Sequence, residues 1–117
     1  MKFMFVIFHD EKTLDALPEP EKQTLVDSAL DYMDELRRSG HFIVSNALQR
    51  ARTARTVRVH GGKATITDGP FAETTEQLGG FILIEARDLN DAIQVAAKIP
   101  MGRRGTVEVR PIKEFKR

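Results

Sequence analysis

Two hydrophobic periods alternate along this chain, and the places where one gives way to the other mark its elements. Lys2 to His9 (KFMFVIFH) is short, aromatic and β-branched, with apolar residues on both alternating faces, which predicts a strand buried on two sides. Asp10 to Pro20 is polar and holds two prolines, so it reads as a loop. From Glu21 to Ser39 the period changes. Leu25, Val26, Ala29, Leu30, Met33 and Leu36 recur at helical spacing. Glu19 and Glu21 near the start and Arg37 and Arg38 near the end suit the helix dipole, and Gly40 stands where a helix C′ glycine belongs.

His41 to Leu48 reads as a second strand, followed by the polar and basic stretch Gln49 to Ala54. Arg55 to His60 alternates, Val57 and Val59 against Arg58 and His60. Gly61-Gly62 is a two-residue hairpin turn, and Lys63 to Thr67 returns as the partner strand with Ala64 and Ile66 two apart. Asp68 to Gly80 reads as a loop that Gly79-Gly80 ends; Phe81 to Glu85 (FILIE) is a nearly all-apolar strand. Asp88 can cap a helix to about Ile99 with an inner face of Leu89, Ala92, Ile93 and Ala96, stopped by Pro100 and Gly102. Thr106 to Ile112 closes the chain as an alternating strand.

Without the hairpin the order is βαββαβ, the α+β ferredoxin-like plan, whose first and third strands are central. The two strands apolar on both faces are those two, as burial on both sides requires. If both helices cover one face of the sheet, one triplet of Phe3, Phe5, Ile7 and Met4, Val6, Phe8 is left facing away. An apolar patch of that size is unusual on a monomer. A homodimer through the open sheet face would cover it; the other possibility is that the hairpin folds over that face.

Composition narrows the chemistry. The 117 residues fit one domain, 1–117. A compact chain of this mass exposes about 6,400 Å² against about 19,000 Å² unfolded, enough burial for a two-layer core. There is no Cys, which excludes disulfides, thiolate nucleophiles and Cys-ligated metal, and no Trp. The longest apolar run, Phe3 to Phe8, is far short of the roughly 18 residues of a membrane span. Met1-Lys2-Phe3 lacks signal-peptide anatomy, so a cytoplasmic location is expected. Eighteen basic residues against 17 acidic ones argue against a dedicated nucleic-acid binder.

The run Thr67 to Phe81 (TDGPFAETTEQLGGF) resembles the signature of the DGPF-domain family of the YciI-related superfamily. The start MKFM, the end VEVRPI and the stretch Thr56-Val57-Arg58-Val59 resemble that family too, so the likeness spans the chain. The resemblance implies a dimeric α/β barrel of ferredoxin-like subunits and a bacterial source. It further implies a frequent gene neighbourhood with extracytoplasmic-function sigma factors. Distant relatives include a dehydrochlorinase and, on the same fold, muconolactone isomerases. Better-studied relatives pair a His on the first helix with an Asp in an Asp-Pro motif after the second. Here no His lies between Glu21 and Ser39, and Ile99 precedes Pro100, so that dyad is absent.

Asp68 opens the signature stretch and is a candidate general base or substrate anchor; it can equally close an Asx turn on the following backbone N–H groups. Glu73 and Glu76, three apart, could share a helical face and a proton, or merely start a turn of helix. His9, at the end of a central strand beside Asp10, is the natural proton-transfer candidate, or a surface residue. His41 and His60 show no metal-ligand spacing with it, and neither a metal nor a cofactor is expected. Arg50, Arg52, Arg55 and Arg58, with Arg103 and Arg104, form basic concentrations that can hold an anionic ligand or simply face water, and they lack the interleaved aromatics of a nucleic-acid surface.

Two functions follow. One is a proton-transfer lyase or isomerase for a small anionic metabolite in the barrel, with Asp68 and His9 as acid and base. Arg52, Arg55 or Arg58 would then anchor the ligand, with Phe71 and Glu76 in the wall. The other is a non-enzymatic binding or regulatory module associated with a sigma factor. A pocket converging on Asp68, His9 and an Arg would favour the first; Asp68 folded into its own loop would favour the second.

Overall fold

The computed structural model describes all 117 residues. Four strands form one antiparallel sheet: β1 (Lys2–His9), β2 (Phe42–Ala47), β5 (Gln77–Glu85) and β6 (Gly105–Pro111), in the order β2-β5-β1-β6. This is the ferredoxin-like arrangement, with the two doubly apolar strands in the middle. β1 pairs with β5 from Lys2↔Glu85 to His9↔Gln77 and with β6 from Phe3↔Pro111 to His9↔Gly105.

Helices α2 (Glu19–Arg38) and α3 (Leu89–Ala97) belong to the covered side of the sheet. Phe3, Phe5 and Ile7 of β1 and Ile82 and Ile84 of β5 are buried there against Tyr32, Met33 and Leu36 of α2 and Ala92, Val95 and Ala96 of α3. Tyr32 Oη donates to the Val95 carbonyl at 2.7 Å, tying the two helices together. Met4, Val6, Phe8, Phe81 and Leu83 point the other way and are half-exposed. The expected open face therefore exists, and the hairpin does not fold over it.

Strands β3 (Arg55–His60) and β4 (Lys63–Asp68) pair as strands only with one another, as a separate two-stranded arm on which Thr56 alone is even half-buried. The arm explains why the accessible surface is 8642 Å², about a third above that of a compact chain of this mass.

α2 ends in a Schellman motif: Gly40, at φ +80°, donates to the Arg37 carbonyl (3.2 Å), and His41 donates to that of Leu36 (2.9 Å). α2 starts two residues earlier than expected because Pro20 sits in its first turn, where no N–H is required.

Three other boundaries and one helix face depart from the sequence expectation. Asp10 to Pro20 is not all loop: Asp10 caps a short helix α1 (Glu11–Asp15), accepting from Lys12 N–H at 3.0 Å. Gly79-Gly80 does not precede β5 but lies inside it, at a β-bulge, with Gly80 opposite both Ile7 and Ala47. Pro100 to Arg104 forms a 3₁₀ turn before β6. The inner face of α3 is rotated. Leu89 and Ile93 are exposed, whereas Asp91 turns inward, because its carboxylate accepts from Arg87 N–H (3.0 Å) and meets the His41 ring.

Candidate functional site

A cavity of about 620 Å³ opens on the helix side of the sheet. Its floor is Ile7 and His9 of β1 and Gly79 to Ile82 of β5; α2 supplies Ala29, Leu30 and Met33; α1 contributes Glu11, Leu14 and Asp15. The segment from Ser45 to Arg50 and Ile99 to Met101 complete the wall. A site of this size, mostly apolar with a few polar groups at one end, matches what small molecules occupy.

His9 reaches this cavity because it follows Ile7 by two residues and so shares the covered face of β1. Its ring lies over Gly79, where a Cβ would come within 2.0 Å of His9 Cε1 and 2.4 Å of Nδ1. No side chain at position 79 leaves room for the imidazole in this position. Nδ1 is fully buried and has no hydrogen-bond partner. Leaving a buried polar atom unpaired costs about 1–3 kcal/mol, so a structure that keeps one calls for a reason. Because Nδ1 is shut away, Nε2 is the nitrogen left to exchange a proton with a ligand.

The rest of the polar end is held by α1. Glu11 N–H donates to Gln77 Oε1 at 3.0 Å, and Glu11 Oε2 accepts from Ala51 N–H at 2.9 Å. The Arg50 guanidinium grips both carboxylate oxygens of Asp15. That ion pair holds the Asp15 carboxyl below the usual carboxylate range and raises Arg50 in turn. Glu11 and Asp15 thus face Arg50, itself already paired, while Lys22 and Arg52 act on Asp15 only through weaker charge attraction.

The other residues singled out from sequence lie elsewhere. Asp68 closes the arm opposite Arg55 and forms an exposed ion pair with it (Nε to Oδ1, 3.1 Å). Its carboxylate accepts no backbone N–H, so neither the pocket nor the Asx-turn expectation describes it. Arg52 lies exposed in a single 3₁₀ turn, Arg58 on the arm, and Phe71 on an exposed loop. Glu73 and Glu76 share no helix; Glu76 Oε1 instead accepts from Thr106 Oγ1 at 2.7 Å. None of these lines the cavity; of the residues singled out from sequence, His9 and Arg50 do. The sequence reading passed over Glu11 and Asp15, and it took Arg50 only as part of a basic run. An Asp followed by Glu-Lys-Thr-Leu is a helix-start signal that would have exposed α1. A Gly pair running straight into FILIE is likewise a bulge signal.

A second polar cluster involves His41. Its Nδ1 meets Ser39 Oγ at 2.7 Å, and its Nε2 meets the Asp91 carboxylate at 3.2 Å. Asp91 also accepts from Arg87 N–H, and this bond foremost holds its carboxyl below the usual range; burial opposes the shift, and the His41 ring adds to it. A Ser–His–Asp set suggests hydrolysis, but Ser39 caps the C-terminus of α2, where the helix dipole disfavours a developing oxyanion. They line neither the cavity beneath α2 nor the smaller one beside Ile93, Val107 and Val109. The cluster is a joint between α2, β2 and α3.

No helix is long and apolar enough to cross a membrane. The sequence profile of the YCII-related domain matches residues 1–116. An uncharacterised protein of Rhizobium meliloti (strain 1021) is 29% identical over 99% of this chain and 95% of its own length. Among solved structures, 5-chloro-2-hydroxyhydroquinone dehydrochlorinase of Burkholderia phenoliruptrix AC1100, in complex with 2,5-dihydroxybenzoquinone, superposes with a TM-score of 0.57. It covers 98% of this chain and 96% of that one at 14% identity, a likeness of fold.

Proposed function

The chain belongs to the YCII-related domain family, and we propose that it binds a small, largely apolar molecule in the cavity beneath α2 and converts it by proton transfer at His9, as a lyase or isomerase does. The observation that carries this reading is His9 itself: a histidine in a cavity wall, with Nδ1 buried and unpartnered and its place secured by a glycine. The fold neighbour that eliminates chloride from a hydroxylated ring supports a conversion of this class.

In this reading Nε2 takes a proton from a carbon or hydroxyl of the substrate and returns it to a leaving group or a neighbouring atom. The apolar wall excludes water. Glu11 is the second acid–base group of the cavity, oriented by the Ala51 N–H. The charge of the ligand differs from the sequence expectation. Arg52, Arg55 and Arg58 stand outside, and Arg50 is neutralised by Asp15 with Glu11 nearby, so the cavity suits an uncharged ring better than an anion. The same reading makes the chain a homodimer, with Met4, Val6, Phe8, Phe81 and Leu83 of the open sheet face covered by a second copy.

Titration with hydroquinone and with benzoate, followed by NMR of the His9 ring and of Gly79 to Ile82, tests it. Hydroquinone should shift these signals, benzoate should bind more weakly, and His9→Ala should weaken the response at Gly79 to Ile82. Silence at the cavity with both probes, or a response to benzoate alone, overturns the reading.

A further inference from the structure

β2 carries a polar side chain where its neighbours in the sheet are apolar. Ser45 stands opposite Ile82, which stands opposite Phe5, and both of those are buried on the covered face. Ser45 therefore shares that face, where it is half-buried and lines the cavity beneath α2. Strand patterning alone would place a Val or an Ile there. Ser39 Oγ bonds the Leu36 carbonyl and the His41 ring, whereas Ser45 Oγ makes no hydrogen bond within the chain. A hydroxyl in an apolar wall, with no partner in the fold, is open to a ligand.

Its position relative to His9 gives this hydroxyl a use. The imidazole lies over Gly79, three residues from Ile82 along β5, and Ser45 is one strand further out. At about 3.3 Å per residue and about 4.8 Å between strands, Nε2 and the Ser45 hydroxyl stand on the order of 10 Å apart. A hydrogen bond of about 2.8 Å at each end leaves a gap the width of one six-membered ring. The floor between the two groups is flat. Gly80 has no side chain, and Ala47, its partner on β2, has only a methyl group. Leu30 and Met33 of α2 close the space from above.

We propose that Ser45 is the far pole of the cavity and selects its ligand: a flat ring bearing one oxygen for His9 Nε2 and a second, para to the first, for the Ser45 hydroxyl. The assignment rests on the cavity and on His9 as its reacting group, and adds the ligand's second anchor. A hydroxyl both donates and accepts, so Ser45 holds either a phenol or a quinone oxygen at that end. A ring with a methyl group in place of the second oxygen leaves Ser45 unpaired and is discriminated against.

Hydroquinone and para-cresol test this, since they are alike in shape, each offers one hydroxyl to His9, and they differ only at the far end. Each is titrated into the wild type, Ser45→Ala and Ser45→Thr, followed by the amide NMR signals of Ser45 to Ala47 and of Gly79 to Ile82. Ser45→Ala should weaken hydroquinone about fivefold relative to para-cresol. Ser45→Thr keeps the hydroxyl and should hold the wild-type ratio. A ratio that Ser45→Ala leaves unchanged, or that Ser45→Thr moves as far as Ser45→Ala does, overturns the proposal. If both probes still shift Gly79 to Ile82 in that case, the cavity reading stands without it. Silence at Gly79 to Ile82 with both probes overturns the two together.

Discussion

His9 and His41 stand at opposite ends of the same covered side of the sheet, and their surroundings are built on opposite terms. His41 has both ring nitrogens engaged, by Ser39 and Asp91, and Asp91 is itself tied to the backbone of Arg87. His9 has no hydrogen-bonding partner at all; one nitrogen is sealed over Gly79 and the other faces a cavity. The first histidine is satisfied by the fold and joins three elements. The second is left unsatisfied by the fold, as a group intended for something outside the chain would be. Residue type does not separate structural from functional histidines here; the accounting of hydrogen bonds does.

The contrast can be broken from either end. Asp91→Ala should have the largest effect, because it strips partners from His41 and from Arg87 N–H at once; a fall in melting temperature on the order of 10 °C is expected by calorimetry. His9→Ala should leave the melting temperature near or above that of the wild type while weakening the hydroquinone response. A comparable loss of stability in both variants would erase the distinction.

Gly79→Ala comes next. Its Cβ must expel the imidazole, so it should destabilise the wild type by about 1–3 kcal/mol and cost the His9→Ala protein much less, a coupling that a thermodynamic cycle of denaturant unfolding reads directly. Equal costs in both backgrounds would mean that the glycine serves the strand pairing rather than the histidine.

Two pH effects are smaller. Asp91 has its pKa depressed in the fold, so its contribution is present above the ordinary carboxylate value near 3.8 and is lost as pH falls through the lower folded value. Asp91→Asn should flatten that acid limb of the stability curve. Tyr32 shifts the opposite way: burial pushes its hydroxyl up to about 12, so its contribution holds below pH 10 and fades as pH rises from 10 towards 12. Tyr32→Phe should remove this alkaline slope. The smallest effect belongs to Arg50→Ala. An exposed ion pair contributes little to stability, so the melt should hardly move, and benzoate should bind no more weakly than to the wild type; weaker binding would make Arg50 an anion anchor.

Much of the scaffold was legible because binary patterning is a strong signal. The doubly apolar runs KFMFVIFH and FILIE identified the central strands, and Gly61-Gly62 fixed the hairpin. The rotation of α3 was hidden, since hydrophobicity alone places Leu89 and Ile93 inward and cannot foresee that the hydrogen bonds of Asp91 outweigh them. The candidate site was half legible. His9 was found as a strand-end histidine, but its partner is a glycine, and what glycine contributes is the absence of atoms. Asp68 and the arm arginines drew attention by motif and charge, yet the arm carries them away from the cavity. Glu11, Asp15 and Arg50 meet only through tertiary folding, across 35 residues and more of sequence.

One last consequence belongs to the position of β1. Both of its neighbours, β5 and β6, come from the second half of the chain, and its pairing with β6 ends at Pro111. A ribosome releases KFMFVIFH before the strands that cover it. This strongly apolar segment therefore waits unpaired until β5 and β6 have emerged. Its long sequence separation from both partners makes sheet closure slow and the nascent chain prone to self-association. The strand that seats His9 is thus also the one most dependent on protection while the chain is being made.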